Sequence, residues 1–184
     1  MVHAVVTKGE GADWPLSKKF GCQVEIAEDL LARAKDCGLQ PHGISFHVGS
    51  QQTDPEQWDA AIAEAAALFH TLDRKGVSLE LINLGGGLPA RYLNNVPTTA
   101  RYGDAIMTAM HKHFGNQMPK MILEPGRGLV GDAGVIQAEV VLIAERHNGK
   151  AARSVYLDIG KFGGLPETIG EAIKYRITTP RDGG

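Results

Sequence analysis

Three short stretches of this chain hold the residue types that do chemistry: His47-Val48-Gly49-Ser50-Gln51, Gly85-Gly86-Gly87 and Glu124-Pro125-Gly126-Arg127, set at near-regular intervals. Together they offer an imidazole, a hydroxyl, a run of unencumbered backbone, a carboxylate and a guanidinium. An imidazole stacks on a flat ring or exchanges a proton near neutral pH. Glycine backbone approaches a ligand closely and can turn its amides toward phosphate oxygens. A carboxylate facing a pyridine nitrogen keeps that nitrogen protonated, so the ring accepts electrons from a carbanion. Arg127 and the Gly126 amide suit a phosphate through charge-assisted hydrogen bonds. A flat ring with a basic nitrogen and a phosphate describes pyridoxal 5'-phosphate.

Taken singly, each stretch has a plainer explanation. His47 alone is as well read as a core histidine bonded to a neighbouring carbonyl, and Ser50 as a turn or helix-cap serine. A glycine triplet also makes a tight turn, and Glu124 with Arg127 also makes a structural ion pair. The triplet is not a dinucleotide fingerprint, because Leu88 and Pro89 follow and no helix starts at once. Position is what raises the three together: each follows a short apolar run that reads as a strand.

The elements that must position them alternate. Val2–Val6 is a β-branched run, followed by a Gly- and Pro-containing loop to Lys19-Phe20-Gly21. Val24–Cys37 repeats Ile26, Leu30, Leu31 and Ala34 at helical spacing, and Gly38 supplies a stop. Gly43–Val48 reads as a strand. In Thr53-Asp54-Pro55-Glu56, Thr53 or Asp54 can cap, Pro55 suits an early helical position and Glu56 can close a capping box on the alanine-rich helix Glu56–Lys75. Leu79–Leu84 (strand), Thr99–Phe114 (helix) and Lys120–Leu123 (strand) follow. This rhythm predicts right-handed βαβ units and a parallel sheet, with the signatures at the carboxyl ends of the strands, where active-site loops emerge. After Arg127 the rhythm changes. Gly134–Arg146 and Ser154–Ile159 are β-rich with no helix between them, and a short helix is predicted over Glu167–Tyr175. The expected division is therefore 1–130, a parallel α/β part, and 131–184, a mainly antiparallel part.

Composition narrows the classes. The chain has 184 residues, 43% hydrophobic and 22% charged, which suits a globular protein with a sizeable core. A net charge of -2 gives no electrostatic case for nucleic acid or an anionic membrane as partner. No apolar run approaches a membrane span, and the first residues do not resemble a signal peptide. Cys22 and Cys37 form neither a CxxC pair nor a metal cluster, so no metal is expected and the reduced cytoplasm is the expected setting.

At these residues the chain resembles the fold-type III pyridoxal-phosphate decarboxylases, above all their ornithine/lysine branch. The resemblance rests on Trp14-Pro15-Leu16-Ser17-Lys18-Lys19-Phe20-Gly21, Ser45-Phe46-His47-Val48-Gly49-Ser50-Gln51, Leu84-Gly85-Gly86-Gly87-Leu88-Pro89, Leu123-Glu124-Pro125-Gly126-Arg127 and Tyr156-Leu157-Asp158-Ile159-Gly160. It implies the C-terminal part of an alanine racemase-like (β/α)8 barrel, holding pyridoxal phosphate, followed by the start of a mainly antiparallel β-domain. It implies that His47 stacks on the pyridine ring and that Glu124 pairs with the ring nitrogen. Ser50, Gly85, Gly86, Gly87, Gly126 and Arg127 would hold the phosphate, and Glu171 lies near where the family keeps an acid for the substrate's distal amine. The implied reaction is decarboxylation of a basic amino acid by a homodimer, with L-ornithine giving putrescine for polyamine synthesis as first choice and lysine as second. A glutamate at position 124, where racemases have arginine, favours a non-racemising reaction. Diaminopimelate decarboxylases share the signatures, but Gly160-Lys161-Phe162-Gly163-Gly164 departs from their segment after Ile159.

The same resemblance implies that the family's cofactor-bonding lysine precedes the equivalent of Val2, and that its catalytic cysteine and neighbouring aspartate follow the equivalent of Gly184. Ala4 stands where a phosphate-binding arginine is expected. A partial barrel exposes two strand edges, and covalent catalysis by this chain alone is not expected. The alternative from another class is a non-catalytic pyridoxal-phosphate binder or regulator of an intact decarboxylase.

Overall fold

A computed structural model describes residues 1–4, 10–14, 20–147 and 151–182. Two compact units, Met1–Asp132 and Ala133–Gly184, are distinguished by their contacts. In chain order the first contains β1 (Val2–His3), β2 (Ala12–Trp14), α1 (Val24–Asp36), β3 (Gly43–Ser45), β4 (Ser50–Gln52), α2 (Gln57–Arg74), β5 (Leu81–Asn83), α3 (Thr99–Phe114), β6 (Lys120–Ile122) and the single turn α4 (Arg127–Val130). Val5, Val6 and the Pro15–Lys19 part of the tryptophan motif lie outside the described residues.

The main sheet has the order β1-β3-β5-β6, parallel throughout. Strand order follows chain order, and each step passes through one helix. Right-handed crossovers that never reverse stack their helices on one face, α1 against α2 and α2 against α3. This is the winding of a barrel rather than of a doubly wound sheet, whose order reverses at a switch point.

The helix-facing side carries the core. Ile44 and Ile82 are fully buried there with Leu31, Trp58, Ile62, Leu72, Tyr102 and Met110. The Trp58 and Tyr102 rings meet edge to face, 5.7 Å between centroids, a favourable arrangement for their quadrupoles. On the other side, one register row reads His3, Ser45, Asn83 and Ile122, polar at three of four positions. At the edge strand β6, Met121 and Ile122 are both 42% exposed.

Several helix ends obey local rules. Cys37 caps α1, and Gly38 takes φ +77°, a left-handed conformation that glycine adopts without a Cβ penalty. Thr98 Oγ1 accepts from Arg101 N at 3.3 Å to open α3. At α2 the capping-box expectation is corrected. Asp54 carries the turn, its Oδ1 accepting from Glu56 N at 3.1 Å and its Oδ2 from Gln57 Nε2 at 2.9 Å. Glu56 reaches across to Arg101 of α3 instead, because an ion pair between adjacent helices is within its range.

An antiparallel ribbon, Ala12↔Gln52 and Trp14↔Ser50, forms where the sequence predicts loop over 12–14. Ser50-Gln51-Gln52 contains no apolar residue and Ala12-Asp13-Trp14 alternates over only three positions, too few to mark a strand.

The second unit is a hairpin, β7 (Val140–His147) with β8 (Ala151–Leu157), and a 3-10 segment Pro166–Glu171. Two expectations are corrected here. The strand expected from Gly134 begins only at Val140, where the antiparallel ladder finds its partner in Leu157. The helix expected over Glu167–Tyr175 is a shorter 3-10 segment, because Gly170 (φ +67°) and Glu171 (φ +58°) turn the chain left-handed and stop it.

Candidate functional site at the strand ends

Pairing continues one step beyond the strands and sets the three signatures level. Phe46 N donates to Asn83 O at 3.1 Å, Leu84 N to Ile122 O at 2.9 Å, and Glu124 N to Gly85 O at 2.9 Å. Because β3, β5 and β6 are parallel, His47, Gly85 and Glu124 emerge at one end of the sheet.

The glycines are demanded by close approach. A Cβ on Gly85 (φ +68°) would stand 2.0 Å from Phe46 O. One on Gly86 would stand 2.7 Å from Glu124 O and 3.1 Å from His47 Nε2, and one on Gly87 (φ +115°) 2.6 Å from Gly49 O. The loop therefore lies directly against both other signatures, which a tight turn would not require.

The carboxylate is held by Asn83. Its Nδ2 donates to Glu124 Oε1 at 2.8 Å, while its Oδ1 accepts from Gly85 N at 2.9 Å. One buried amide thus ties the end of β5 to the acid and to the start of the glycine loop. Glu124 Oε2 accepts from no other described residue. The alternative of a Glu124–Arg127 ion pair is not what forms: the guanidinium turns away, donating from Nη2 to Ser50 Oγ at 3.0 Å and from Nη1 to the Tyr92 hydroxyl at 3.3 Å. Gly126 takes φ +46° at the turn between acid and base.

His47 Nδ1 accepts from Gly49 N at 2.9 Å, which assigns the proton of the neutral ring to Nε2, on the side of Gly86. Burial pushes this imidazole below its ordinary value; nearby His3 adds to the effect and Glu124 opposes it. His3, with Nδ1 3.0 Å from Ser45 Oγ, is pushed down by burial and partly restored by Glu124. The unfolded chain protonates both rings near their ordinary 6.5, whereas the folded chain does so only at lower pH. Their contribution to stability is thus complete above pH 6.5 and is lost as the pH falls through the folded values. Melting curves between about pH 7.5 and about pH 5 should show a falling Tm, with a shallower slope in His3→Asn; identical slopes would remove His3 from this balance.

Further residues lock the loops. Gln51 Nε2 donates to Ala90 O at 2.6 Å and its Oε1 accepts from Ala90 N at 3.0 Å. Gln52 N donates to Gly87 O at 2.8 Å, and the buried Tyr102 hydroxyl donates to Gln52 O at 2.8 Å. Burial, with the nearby Asp54 charge, pushes the Tyr102 phenol up to about 12. Tyr102→Phe should cost about 1–2 kcal/mol in urea unfolding, because the buried Gln52 carbonyl loses this donor.

Every signature residue expected at the strand ends is therefore found there: His47, Ser50, Gly85, Gly86, Gly87, Glu124, Gly126 and Arg127. Glu171 belongs to the second unit, where its carboxylate is 3.4 Å from Lys174 Nζ. Sequence reasoning missed Asn83, His3, Gln51 and Tyr92. Two of them lay beside a motif: Gln51 closes the first signature, and Asn83 is a polar residue ending an apolar strand immediately before the triplet.

The site combines an anchored carboxylate, a neutral imidazole, a hydroxyl and a guanidinium around open backbone, and this set has counterparts. Residues 6–131 match the pyridoxal binding domain of pyridoxal-dependent decarboxylases. Ornithine decarboxylase of Mus musculus is 32% identical over 145 residues, 77% of this chain and 31% of that protein. Diaminopimelate decarboxylase of Zymomonas mobilis is 32% identical over 163 residues, 85% of this chain and 35% of that protein. The lysine/ornithine decarboxylase of Vibrio vulnificus, solved with cadaverine, superposes with a TM-score of 0.78 at 30% identity, covering 92% of this chain and 45% of that one. The chain thus spans about a third of the length of the curated relatives it matches. Its fold is α/β, the C-terminal part of an alanine racemase-like barrel followed by the start of a β-domain, and pyridoxal phosphate is the cofactor that the matched domain serves.

Proposed function

The chain belongs to the pyridoxal-dependent decarboxylases, and on that premise we propose that it forms the ring-and-phosphate side of an enzyme that decarboxylates a basic amino acid. L-Ornithine is the first substrate, with lysine or diaminopimelate the alternatives. The observation that carries the reading is the meeting, at one end of parallel strands, of Glu124 held by Asn83, the glycine loop, and the Ser50–Arg127 pair.

The residues fit the cofactor by their donor set. Bound pyridoxal phosphate supplies an electron-withdrawing ring for the electron pair of the breaking bond to the carboxylate. Glu124, anchored through Oε1 by Asn83, would hold a proton at the pyridine nitrogen. His47, neutral near pH 7, offers its ring face for stacking. Ser50, Arg127 and the amides of Gly86, Gly87 and Gly126 would hold the phosphate, while Gly85, whose N–H is taken by Asn83 Oδ1, would fix the start of the loop. By the family resemblance, Glu171 is the acid proposed for the substrate's distal ammonium.

In the same proposal residues 1–130 are the cofactor-binding part of the barrel and 131–184 the start of the β-domain. The whole enzyme is a cytoplasmic homodimer making putrescine for polyamine synthesis. The structure adds only that no helix among the described residues is long and apolar enough to cross a membrane.

The alternative to be tested is a non-catalytic pyridoxal-phosphate binder or regulator of an intact decarboxylase.

Titration of the chain with pyridoxal phosphate, followed by tryptophan fluorescence, tests the cofactor site. Arg127→Met should weaken binding about tenfold to a hundredfold by removing charge-assisted hydrogen bonds; unchanged affinity would move the phosphate elsewhere. Carbon dioxide release from ornithine, lysine and diaminopimelate, assayed with the chain joined to a polypeptide carrying the family's lysine-bearing part, tests the reaction. Binding without release from any of the three would favour the regulator.

A further inference from the structure

Gln51 sits in a conformation that side chains rarely adopt, φ +55°, yet it is 4% exposed and its amide is fully engaged. A non-glycine residue held left-handed costs on the order of 1 kcal/mol, so the surroundings must over-determine it. What holds it is Ala90, bonded twice, Nε2 to O at 2.6 Å and Oε1 from N at 3.0 Å.

Ala90 is also where the third signature rests. A Cβ on Gly131, just after α4, would stand 2.4 Å from Ala90 Cβ, and one on Gly128 2.8 Å from Leu88 Cβ. The turn that begins with Arg127 is therefore seated on residues 88–90. Gln51 is adjacent to Ser50, whose hydroxyl accepts from Arg127, and to Gln52, whose N–H donates to Gly87 O. Three separate segments, carrying Ser50, Gly85–Gly87 and Arg127, are thus tied at a single glutamine.

We propose that Gln51 is a positioning residue for the phosphate end of the cofactor. It touches no phosphate oxygen itself. It sets the spacing between the Ser50 hydroxyl, the glycine loop and the Arg127 guanidinium, so that all three converge on one tetrahedral group. This rests on the cofactor reading of the same site.

The test compares pyridoxal phosphate with pyridoxal, which lacks the phosphate, on the whole chain. Gln51→Ala removes the clamp and keeps the strained φ. Gln51→Gly removes the clamp and relieves the strain, so it protects folding. Both variants should lose about tenfold in affinity for pyridoxal phosphate, the usual range for a group that orients a ligand-binding residue, while affinity for pyridoxal stays within about twofold. Gln51→Gly should keep the wild-type Tm within a few degrees. Equal losses for the two ligands, or no loss for either in Gln51→Gly, would overturn the proposal. A wild-type chain that binds both ligands equally would instead overturn the cofactor reading, so the two failures are distinct.

Discussion

Gly85→Ala is expected to destabilise the first unit by about 3 kcal/mol or more and to abolish cofactor binding, through two independent costs. The backbone at φ +68° is strained for any residue with a Cβ, by about 1 kcal/mol or more. The added methyl would stand 2.0 Å from Phe46 O and 3.0 Å from His47 Cα. These are backbone atoms, which no rotamer change can move, so the strand carrying His47 must shift in a tightly packed interior. Gly103→Ala provides a control of opposite sign. Gly103 lies within α3 with nothing inside 4 Å of its ideal Cβ, and alanine there should stabilise by about 0.5–1 kcal/mol. Urea unfolding of the two variants beside wild type checks both. Equal stability of Gly85→Ala and wild type would show that the loop adapts and is not built on this contact.

Glu124→Gln should reduce turnover of the assembled decarboxylase by about a hundredfold to a thousandfold, with Tm and cofactor affinity nearly unchanged. The substitution is close to isosteric. An amide oxygen at position 124 can still accept from Asn83 Nδ2, now 2.8 Å from Oε1, so the turn before Arg127 keeps its geometry. What would disappear is the negative charge proposed to keep a proton on the pyridine nitrogen. Steady-state kinetics on ornithine read this as a fall in kcat; unchanged kcat would remove Glu124 from the electron-withdrawing role. Asn83→Ala should show the complementary pattern, a smaller loss of turnover together with a lower Tm. It removes the donor to Glu124 and leaves Gly85 N without its acceptor at 2.9 Å.

Much of this site was legible in the chain because its determinants are local. Helix spacing in Val24–Asp36 and in the alanine-rich Gln57–Arg74 is a pattern of neighbours three and four apart. Gly38 marks a helix end through its own φ. The glycine triplet, the Glu-Pro-Gly-Arg turn and the histidine are contiguous motifs, and the alternation of strand and helix dictates that they share one end of a parallel sheet.

The residues that were not legible act between segments. Asn83 matters because Glu124, 41 positions away, arrives beside it, and Gln51 because Ala90, 39 positions away, supplies both halves of its clamp. Each lies in or beside a motif, but the partner that gives it a role is not its neighbour in the chain. The β2–β4 ribbon joins two strands of only three residues each, too short for a readable period, so pairing alone defines it. The capping role assigned to Glu56 failed for the same reason, since the helix that brings Arg101 alongside competed with a local bond. Sequence by itself determined the chemistry of the three signatures and the end of the sheet from which they act, since residue type, period and capping are properties of short segments. Tertiary structure alone decided that Glu124 turns to Asn83 and Arg127 to Ser50, because a hydrogen bond is settled by distances of about 3 Å between atoms that only folding brings together.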